Sequence, residues 1–228
     1  MRLVSPPSVC SFLFPAMLWR MPAGEKCLYL TFDDGPHPTI TPQVLDILRK
    51  YNAKATFFCI GNNVRKYPAT FELLREEGHS VGSHTFNHEN GWKTNNDDYV
   101  RSVLDANELI HSNLFRPPHG KIRFSQIKKI RECYDDARRH VSAEINIVAW
   151  SVIAYDWDKD LTADDVYNNV IHNAKDGSII AFHDSEKAYQ RMIEALPRVL
   201  EHFSGRGYQF KAIPENPEFF RSKACFSN

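Results

Sequence analysis

The segment Leu30-Thr-Phe-Asp-Asp-Gly-Pro-His-Pro38 constrains this chain most, because it sets two adjacent carboxylates where an apolar run meets a turn signal. Asp33 and Asp34 cannot both lose their water unless a positive group lies beside them. A bound cation or an arginine is therefore expected nearby. The alternative is a solvated turn, which is the commoner fate of an Asp-Gly-Pro cluster.

Residues that can supply this positive partner occur downstream. His84 and His88 stand four apart in a polar segment flanked by Gly82 and Gly91, and Arg116 precedes two prolines. Two histidines and one carboxylate on a divalent metal, with positions left open to water and substrate, describe a catalytic site. The spacing lets both imidazoles reach one ion if the segment forms a single helical turn.

The charge balance excludes some partners. Lys and Arg total 28 and Asp and Glu total 28, which predicts neither a nucleic-acid groove nor attraction to an anionic membrane. A neutral or weakly charged substrate fits better. The five cysteines are widely spaced and form no Cys-x-x-Cys pair, a pattern typical of reduced thiols.

Strand-like and helix-like patterns alternate along the chain, which predicts βα units around a parallel sheet. Thr41-Pro42 predicts the N-cap and first residue of a helix that ends at Asn52. A second helix is predicted between Pro68 and Gly78. The other predicted helices are 97–111, 125–134, 163–174 and 186–203, and the predicted strands are 27–33, 55–60, 79–82, 114–116, 145–151, 178–183 and 208–213.

Five motifs occur in the order in which polysaccharide deacetylases carry them. They are Thr31-Phe-Asp-Asp-Gly35, Ser83-His-Thr-Phe-Asn-His88, Arg116-Pro-Pro-His-Gly120, Trp150-Ser-Val-Ile-Ala-Tyr-Asp-Trp157 and Ile180-Ala-Phe-His183. The chain therefore resembles the polysaccharide deacetylase family, the NodB-homology domain of carbohydrate esterase family 4. The five motifs together are specific, whereas one His-x-x-x-His would be weak.

The resemblance implies an α/β fold, an irregular and incompletely closed (β/α) barrel with fewer than the regular eight strands. Its catalytic domain would span residues 26–213, followed by a tail over 214–228. Residues 1–25 are predicted to be a lead-in that packs on the barrel, since prolines interrupt its apolar run and no Ala-x-Ala site follows. The run is too short and broken to span a bilayer. A cytoplasmic location is favoured over a cell-envelope or extracytoplasmic one, with a degenerate export signal as the alternative.

The resemblance also implies the metal and the substrate. The ligands would be Asp34, His84 and His88, holding zinc, with cobalt or nickel as alternatives. The substrate would be an N-acetylated glycan, either chitin-like or peptidoglycan-like, and the reaction would be hydrolysis of its acetamide. Barrel enzymes concentrate catalytic groups at the carboxyl ends of their strands, where these motifs fall.

Four further residues match the family's acid and base. Asp33 would be the general base, held in place by Arg116. His183 would be the general acid that protonates the leaving amine, and Asp156 would orient it. The alternative is that Asp156 caps a loop and that His183 belongs to a strand-end turn.

One position departs from the pattern, since relatives usually have tyrosine where this chain has His119. The resemblance implies that the main-chain N–H of this residue helps to hold the oxyanion, so the substitution alters the rim and leaves that donor in place. An extra proton donor or metal contact from His119 is the alternative. Trp92 and Trp157 are candidates for stacking on a sugar ring, although tryptophans at such positions are as often part of the core.

Three other functions fit some of the same residues. An O-acetyl esterase acting on xylan would use the same site. A non-heme iron enzyme would also need two histidines and one carboxylate, but Asp33, Arg116 and His183 would then have no task. A catalytically impaired carbohydrate-binding relative is the third.

Overall fold

A parallel sheet forms the framework of this chain, for which the computed structural model describes residues 2–137 and 145–215. Its strands are β1 Met17–Leu18, β2 Cys27–Asp33, β3 Ala55–Cys59, β4 Ser80–Ser83, β5 Leu114–Phe115, β6 Asn146–Val148, β7 Val152–Ile153, β8 Ile179–His183 and β9 Gln209–Phe210. The helices are α1 Ser8–Leu13, α2 Ile40–Lys50, α3 Gly61–Lys66, α4 Pro68–Glu76, α5 Asn96–Ile110, α6 Phe124–Ala137, α7 Ala163–Ile171 and α8 Tyr189–Ser204, with a 3₁₀ turn at Pro118–Gly120.

The strands follow the order β1-β6-β5-β4-β3-β2-β8-β7, and β9 adds to β2. Every pair of these strands is parallel. Because β1 and β7 end the sheet without pairing with each other in the described residues, the barrel is open. The predicted incompletely closed (β/α) barrel is confirmed. The expectation of fewer than eight strands is wrong, because the sheet of the described residues has nine.

Strand β2 lies inside the sheet, between β3 and β8, and all seven of its residues are buried. An apolar run of this kind suits a parallel strand covered on both faces. The register sets Asp33 beside Phe58 of β3 and beside His183 of β8. The carboxyl ends of three strands therefore meet at the residues that the sequence marked as catalytic.

Helix α2 begins two residues earlier than its sequence predicts, at Ile40 instead of Pro42. Thr39 is the N-cap, and Thr41 lies inside the first turn. The Thr41 hydroxyl donates to the carboxylate of Asp184, across 143 residues of sequence, and so does not cap the helix. The prediction of Thr41 as the cap is wrong, because a tertiary hydrogen bond takes the hydroxyl that local capping would have used.

The other predicted elements occur with ends within three residues of the predicted ones. Helices α1 and α3 and strands β1 and β7 were not predicted. The charged run 135–140 enters α6, which ends at Ala137, but the rest of that run lies outside the described residues. Cys225 and most of the predicted tail, from residue 216 onward, also lie outside them.

The N-terminal residues contact the sheet near its opening. The main-chain N–H of Ile153 donates to the carbonyl of Val4 over 2.9 Å, and Met17 pairs with Ile147 of β6. Helix α1 has no buried residue. In the described part of the chain, no helix combines the length and the apolar character needed to cross a bilayer. The domain limits and the cytoplasmic location stay predictions.

Candidate active site

The carboxylate of Asp33 is held by one buried arginine. Asp33 ends β2 and is 4% exposed, and Arg116, just beyond the end of β5, is fully buried. The Arg116 Nη1 donates to Asp33 Oδ1 over 2.7 Å. The positive group expected beside the two carboxylates is therefore present, at hydrogen-bond distance from Asp33.

The guanidinium of Arg116 is fixed on several sides. Its Nη1 also donates to the Thr31 hydroxyl over 2.6 Å, and its Nη2 donates to the Ala149 carbonyl over 2.9 Å. The Phe58 ring lies 4.1 Å from the guanidinium carbon. Burial lowers the pKa of Arg116, while Asp33 raises it. The planar guanidinium donates to several acceptors at once and therefore has little freedom. It holds the Asp33 carboxylate in one orientation.

A second carboxylate faces two imidazoles. Asp34 Oδ1 lies 3.3 Å from His88 Nε2 and 3.8 Å from His84 Nε2. One ligand atom from each of the three residues lies within 4.8 Å of the others. Asp34 Oδ1 is buried and has no hydrogen-bond partner, which is costly for a carboxylate oxygen. Two imidazole nitrogens and an unpaired carboxylate oxygen fit a divalent metal.

The segment from His84 to His88 is a loop and not the helical turn that the spacing suggested. Thr85 and His88 both have left-handed backbone angles, with φ of 63° and 62°. The expectation of a helical turn is wrong, since these two residues lie outside the right-handed helical region. The loop still brings the rings of His84 and His88 close together, with their centroids 5.1 Å apart.

The tautomer of His84 follows from its contact with the main chain. Its Nδ1 lies 2.8 Å from the carbonyl oxygen of Arg116. A carbonyl can only accept, so Nδ1 carries the hydrogen and Nε2 keeps a free lone pair toward Asp34. Burial lowers the pKa of His84 to about 4, which keeps the ring neutral at neutral pH. A neutral imidazole is the form that ligates metals.

His183 and Asp156 form a second pair at the end of β8. Asp156 Oδ1 lies 2.9 Å from His183 Nδ1, and Asp156 Oδ2 accepts from the main-chain N–H of His183 over 2.8 Å. Burial alone would lower the pKa of His183, but the Asp156 carboxylate outweighs it and the pKa is raised to about 9. The imidazolium is therefore favoured at neutral pH, with Nε2 as the remaining donor.

Asp184 is a buried carboxylate that sequence reasoning missed. It accepts from the Gly35 N–H over 3.1 Å and from the Thr41 hydroxyl. A Cβ on Gly35 would lie 2.2 Å from an Asp184 oxygen, so only glycine fits beside it. Burial raises the pKa of Asp184 to about 8, and the charge of Asp34 adds to this. Its position directly after His183 was the only signal in the sequence.

The three predicted substrate residues, His119, Trp92 and Trp157, do not all line the same cavity. Trp157 lines the cavity around Asp34, His84 and His88, which we call the metal-binding group, and its ring centroid lies 4.5 Å from that of His183. His119 lines it too, with its ring centroid 4.6 Å from that of His88 and with φ of 58°. Trp92 lies beside a neighbouring cavity instead. The sequence could not place Trp92, because its loop packs against residues 30 positions away.

The cavity around the metal-binding group has a volume of about 390 Å³. It also contains the predicted base and the predicted acid, Asp33 and His183. Two lysines that sequence reasoning did not select, Lys121 and Lys187, lie at its wall. The order of the motifs gave no signal for Lys187, whereas Lys121 directly follows the third motif.

Comparison with known proteins identifies the family. Residues 20–136 match the family model described as polysaccharide deacetylase. The chain belongs to the polysaccharide deacetylase family. It is 34% identical over 202 residues to a peptidoglycan-N-acetylglucosamine deacetylase of Bacillus cereus, a match that covers 86% of this chain and 91% of that protein. The prediction of a hydrolase of the polysaccharide deacetylase type is thus confirmed.

Solved structures of polysaccharide deacetylases share the fold. A peptidoglycan N-acetylglucosamine deacetylase in complex with 4-naphthalen-1-yl-N-oxidanyl-benzamide superposes with a TM-score of 0.79 at 33% identity, over 90% of this chain and 94% of that one. A family 4 acetyl xylan esterase from Clostridium thermocellum in complex with a cobalt ion gives a TM-score of 0.73 at 29% identity, over 87% of this chain and 92% of that one. A divalent metal in this family therefore agrees with the group formed by Asp34, His84 and His88.

Proposed function

We propose that this chain is a metal-dependent hydrolase that removes N-acetyl groups from an acetylated glycan of the peptidoglycan or chitooligosaccharide type. One observation carries the proposal. An arginine-held carboxylate, Asp33, and a carboxylate-held imidazole, His183, both face the cavity that contains the metal-binding group. The reaction adds water to the acetamide and yields acetate and a free amine.

The metal-binding group suits zinc. Asp34 and the two imidazoles supply three protein ligands, which is the usual number for a catalytic zinc site that keeps a position open. A divalent ion held there would polarise the amide carbonyl and acidify water. Cobalt and nickel are the alternatives, and adding each metal back to stripped protein distinguishes them by restored turnover.

Asp33 is the proposed base. Its carboxylate removes the proton from the attacking water, and the hydrogen bond from Arg116 Nη1 to Oδ1 keeps it in the required orientation. The oxygen that develops negative charge would be met by the main-chain N–H of His119, a residue at the cavity wall. The sugar ring carrying the acetamide would pack against Trp157.

His183 is the proposed acid. An amine leaves poorly unless it is protonated, and Nε2 is the donor that remains after Nδ1 binds Asp156. Burial lowers the pKa of His183, but the Asp156 carboxylate outweighs it, so the protonated form that can donate is favoured. The two proton transfers thus use separate groups, each held by its own partner.

Two isosteric variants test the division of labour between the adjacent carboxylates. Asp33→Asn should retain the metal, because Asp33 is not in the metal-binding group, and should lose turnover by about 10²- to 10⁴-fold. Asp34→Asn should lose both metal and turnover. Metal content is measured by elemental analysis, and turnover by acetate release from chitooligosaccharides and peptidoglycan fragments. Equal metal loss in the two variants would contradict the assignment.

A second candidate function is O-acetyl ester hydrolysis, favoured by the structural likeness to an acetyl xylan esterase. An alcohol needs less help to leave than an amine, so His183→Ala should impair amide hydrolysis much more than ester hydrolysis. Acetate release is measured from matched N-acetyl and O-acetyl sugars, for the unaltered protein and for His183→Ala. The sugar that the unaltered protein hydrolyses faster decides between the two functions. Equal impairment on both substrates would argue against His183 as the acid.

A further inference from the structure

A second cavity lies beside the cavity around the metal-binding group. Its volume is about 300 Å³, and we call it the apolar cavity. The two share four wall residues, His119, Trp150, Ile153 and Tyr155. The rest of the wall comes largely from apolar residues of the first 20 positions, which the proposed reaction does not use.

The polar atoms in this wall are largely engaged within the protein. Trp19 Nε1 donates to the Phe14 carbonyl over 3.1 Å, and Trp92 Nε1 donates to the Ile122 carbonyl over 3.3 Å. The Tyr155 hydroxyl donates to the Leu3 carbonyl over 3.2 Å. A sugar buried here would leave its hydroxyls without partners, which is costly. The chemistry of the wall therefore favours an apolar guest.

The size of the apolar cavity sets the length of that guest. An apolar cavity of about 150 Å³ accommodates benzene, a molecule of six carbons. A volume of about 300 Å³ leaves room for an alkyl chain of at least that many carbons with some freedom of conformation. Because the apolar cavity shares four wall residues with the cavity around the metal-binding group, one end of such a chain would lie close to the reacting amide.

We propose that the apolar cavity binds an alkyl chain carried by the acetylated sugar substrate. The proposal rests on the proposed function, since it extends the same site. The chain can come from two sources with the same chemistry: an alkyl group on the sugar's anomeric oxygen, or an N-acyl group longer than acetyl. Both would leave the amide at the metal-binding group.

Binding is measured first, with probes that the enzyme cannot hydrolyse. Titration calorimetry compares hexyl glucoside with methyl glucoside. Burying each extra methylene strengthens binding by roughly fourfold, so even partial insertion of the hexyl chain should give at least a tenfold lower dissociation constant. Equal affinities for the two glucosides in the unaltered protein would overturn the proposal, and this comparison depends on no variant.

Filling the apolar cavity provides the matched test. Cys10 lines it from helix α1, whereas its neighbour Val9 is 52% exposed and does not line it. Cys10→Trp should abolish the preference for hexyl over methyl glucoside, and Val9→Trp should retain it. Cys10→Phe is a smaller second filler in case the larger one impairs folding. A hexyl preference that survives filling would show that the chain binds elsewhere and would overturn the proposal.

Turnover then identifies the source of the chain. One substrate is the hexyl glycoside of N-acetylglucosamine and the other is the methyl glycoside of N-hexanoylglucosamine, each compared with the methyl glycoside of N-acetylglucosamine. A kcat/KM at least tenfold higher for either one supports the proposal and names the source. No gain for either, despite tighter hexyl binding, would overturn the link to the substrate. If none of the three is hydrolysed but the binding results hold, the proposed function fails while the cavity assignment stands.

Discussion

Replacing Asp156 by asparagine tests the pair that it forms with His183, because the change removes a charge and keeps the shape. Asparagine retains an oxygen for His183 Nδ1–H. Its NH₂ group, however, would face the main-chain N–H of His183, which in the unaltered protein donates to Asp156 Oδ2 over 2.8 Å. Burial of the ring is then opposed only by the charges of Asp34 and Asp33, so the pKa of His183 should fall well below about 9.

The size of the effect on stability follows from the shift of the pKa. The folded protein holds the pKa of His183 at about 9, above the value of about 6.5 expected in the unfolded chain. A raised pKa stabilises the folded state fully below about pH 6.5, and this stabilisation is lost as the pH rises through 9. A shift of about 2.5 units at 1.36 kcal/mol per unit amounts to roughly 3 kcal/mol.

The measurement is urea unfolding of metal-free protein at pH 6 and pH 10, with and without the substitution. Metal-free protein is required because Asp34 also raises the pKa of His183, and a bound cation would offset that charge. The difference in unfolding free energy between the two proteins should be larger at pH 6 than at pH 10, by as much as about 3 kcal/mol. Groups that titrate alike in both proteins cancel.

Two results would refute this reasoning. One is an equal free-energy difference at both pH values. The other is an NMR titration of the His183 ring in the unaltered, metal-free protein with a midpoint near 6.5. In the metal-loaded enzyme, the same substitution should move the alkaline limb of kcat to lower pH, because the acid then loses its proton earlier.

Three further predictions concern other parts of the site. Arg116→Met should lower the free energy of unfolding by about 3–5 kcal/mol in urea titrations, since it leaves a buried carboxylate unpaired; a loss under about 1 kcal/mol would speak against that pairing. His119→Tyr should change turnover on a small acetylated substrate by much less than about a hundredfold, while reordering the preference among longer glycans, because the proposed oxyanion donor is the main-chain N–H; a hundredfold loss would show that the imidazole itself takes part. Gly35→Ala should destabilise the fold by about 1–3 kcal/mol, because its new Cβ would collide with Asp184. Gly205→Ala is the control and should be close to neutral, because its new Cβ would have its nearest neighbour at 3.4 Å. Thermal melts of the two variants measure the difference.

The five motifs gave the candidate acid, base and metal ligands, and the apolar patterns of β2 and β8 placed Asp33 and His183 at strand ends. Strand β2 was predicted with the ends that the structure gives it. Asp33 is its last residue, whereas Asp34 has already left the strand with φ of 80°. The two adjacent carboxylates therefore face different partners: Asp33 faces Arg116, and Asp34 faces the two histidines.

The parts that were missed depend on contacts between distant segments. No local pattern reveals that Thr85 and His88 adopt left-handed angles. The approach of Asp184 to Gly35 joins residues 149 apart and takes the hydroxyl of Thr41 away from its expected cap. Short strands such as β7 are equally invisible, since two residues cannot show a period.

Arg116 has one more consequence, which concerns alignment under motion. Its side chain binds Asp33, and its own carbonyl accepts the hydrogen bond from His84 Nδ1. We therefore expect a shift of the chain at this residue to move the proposed base and a proposed metal ligand in the same direction, so that the spacing between them varies less than either position does. We expect thermal motion of the sheet edge to carry the reacting groups along as a unit, with little change in their mutual geometry.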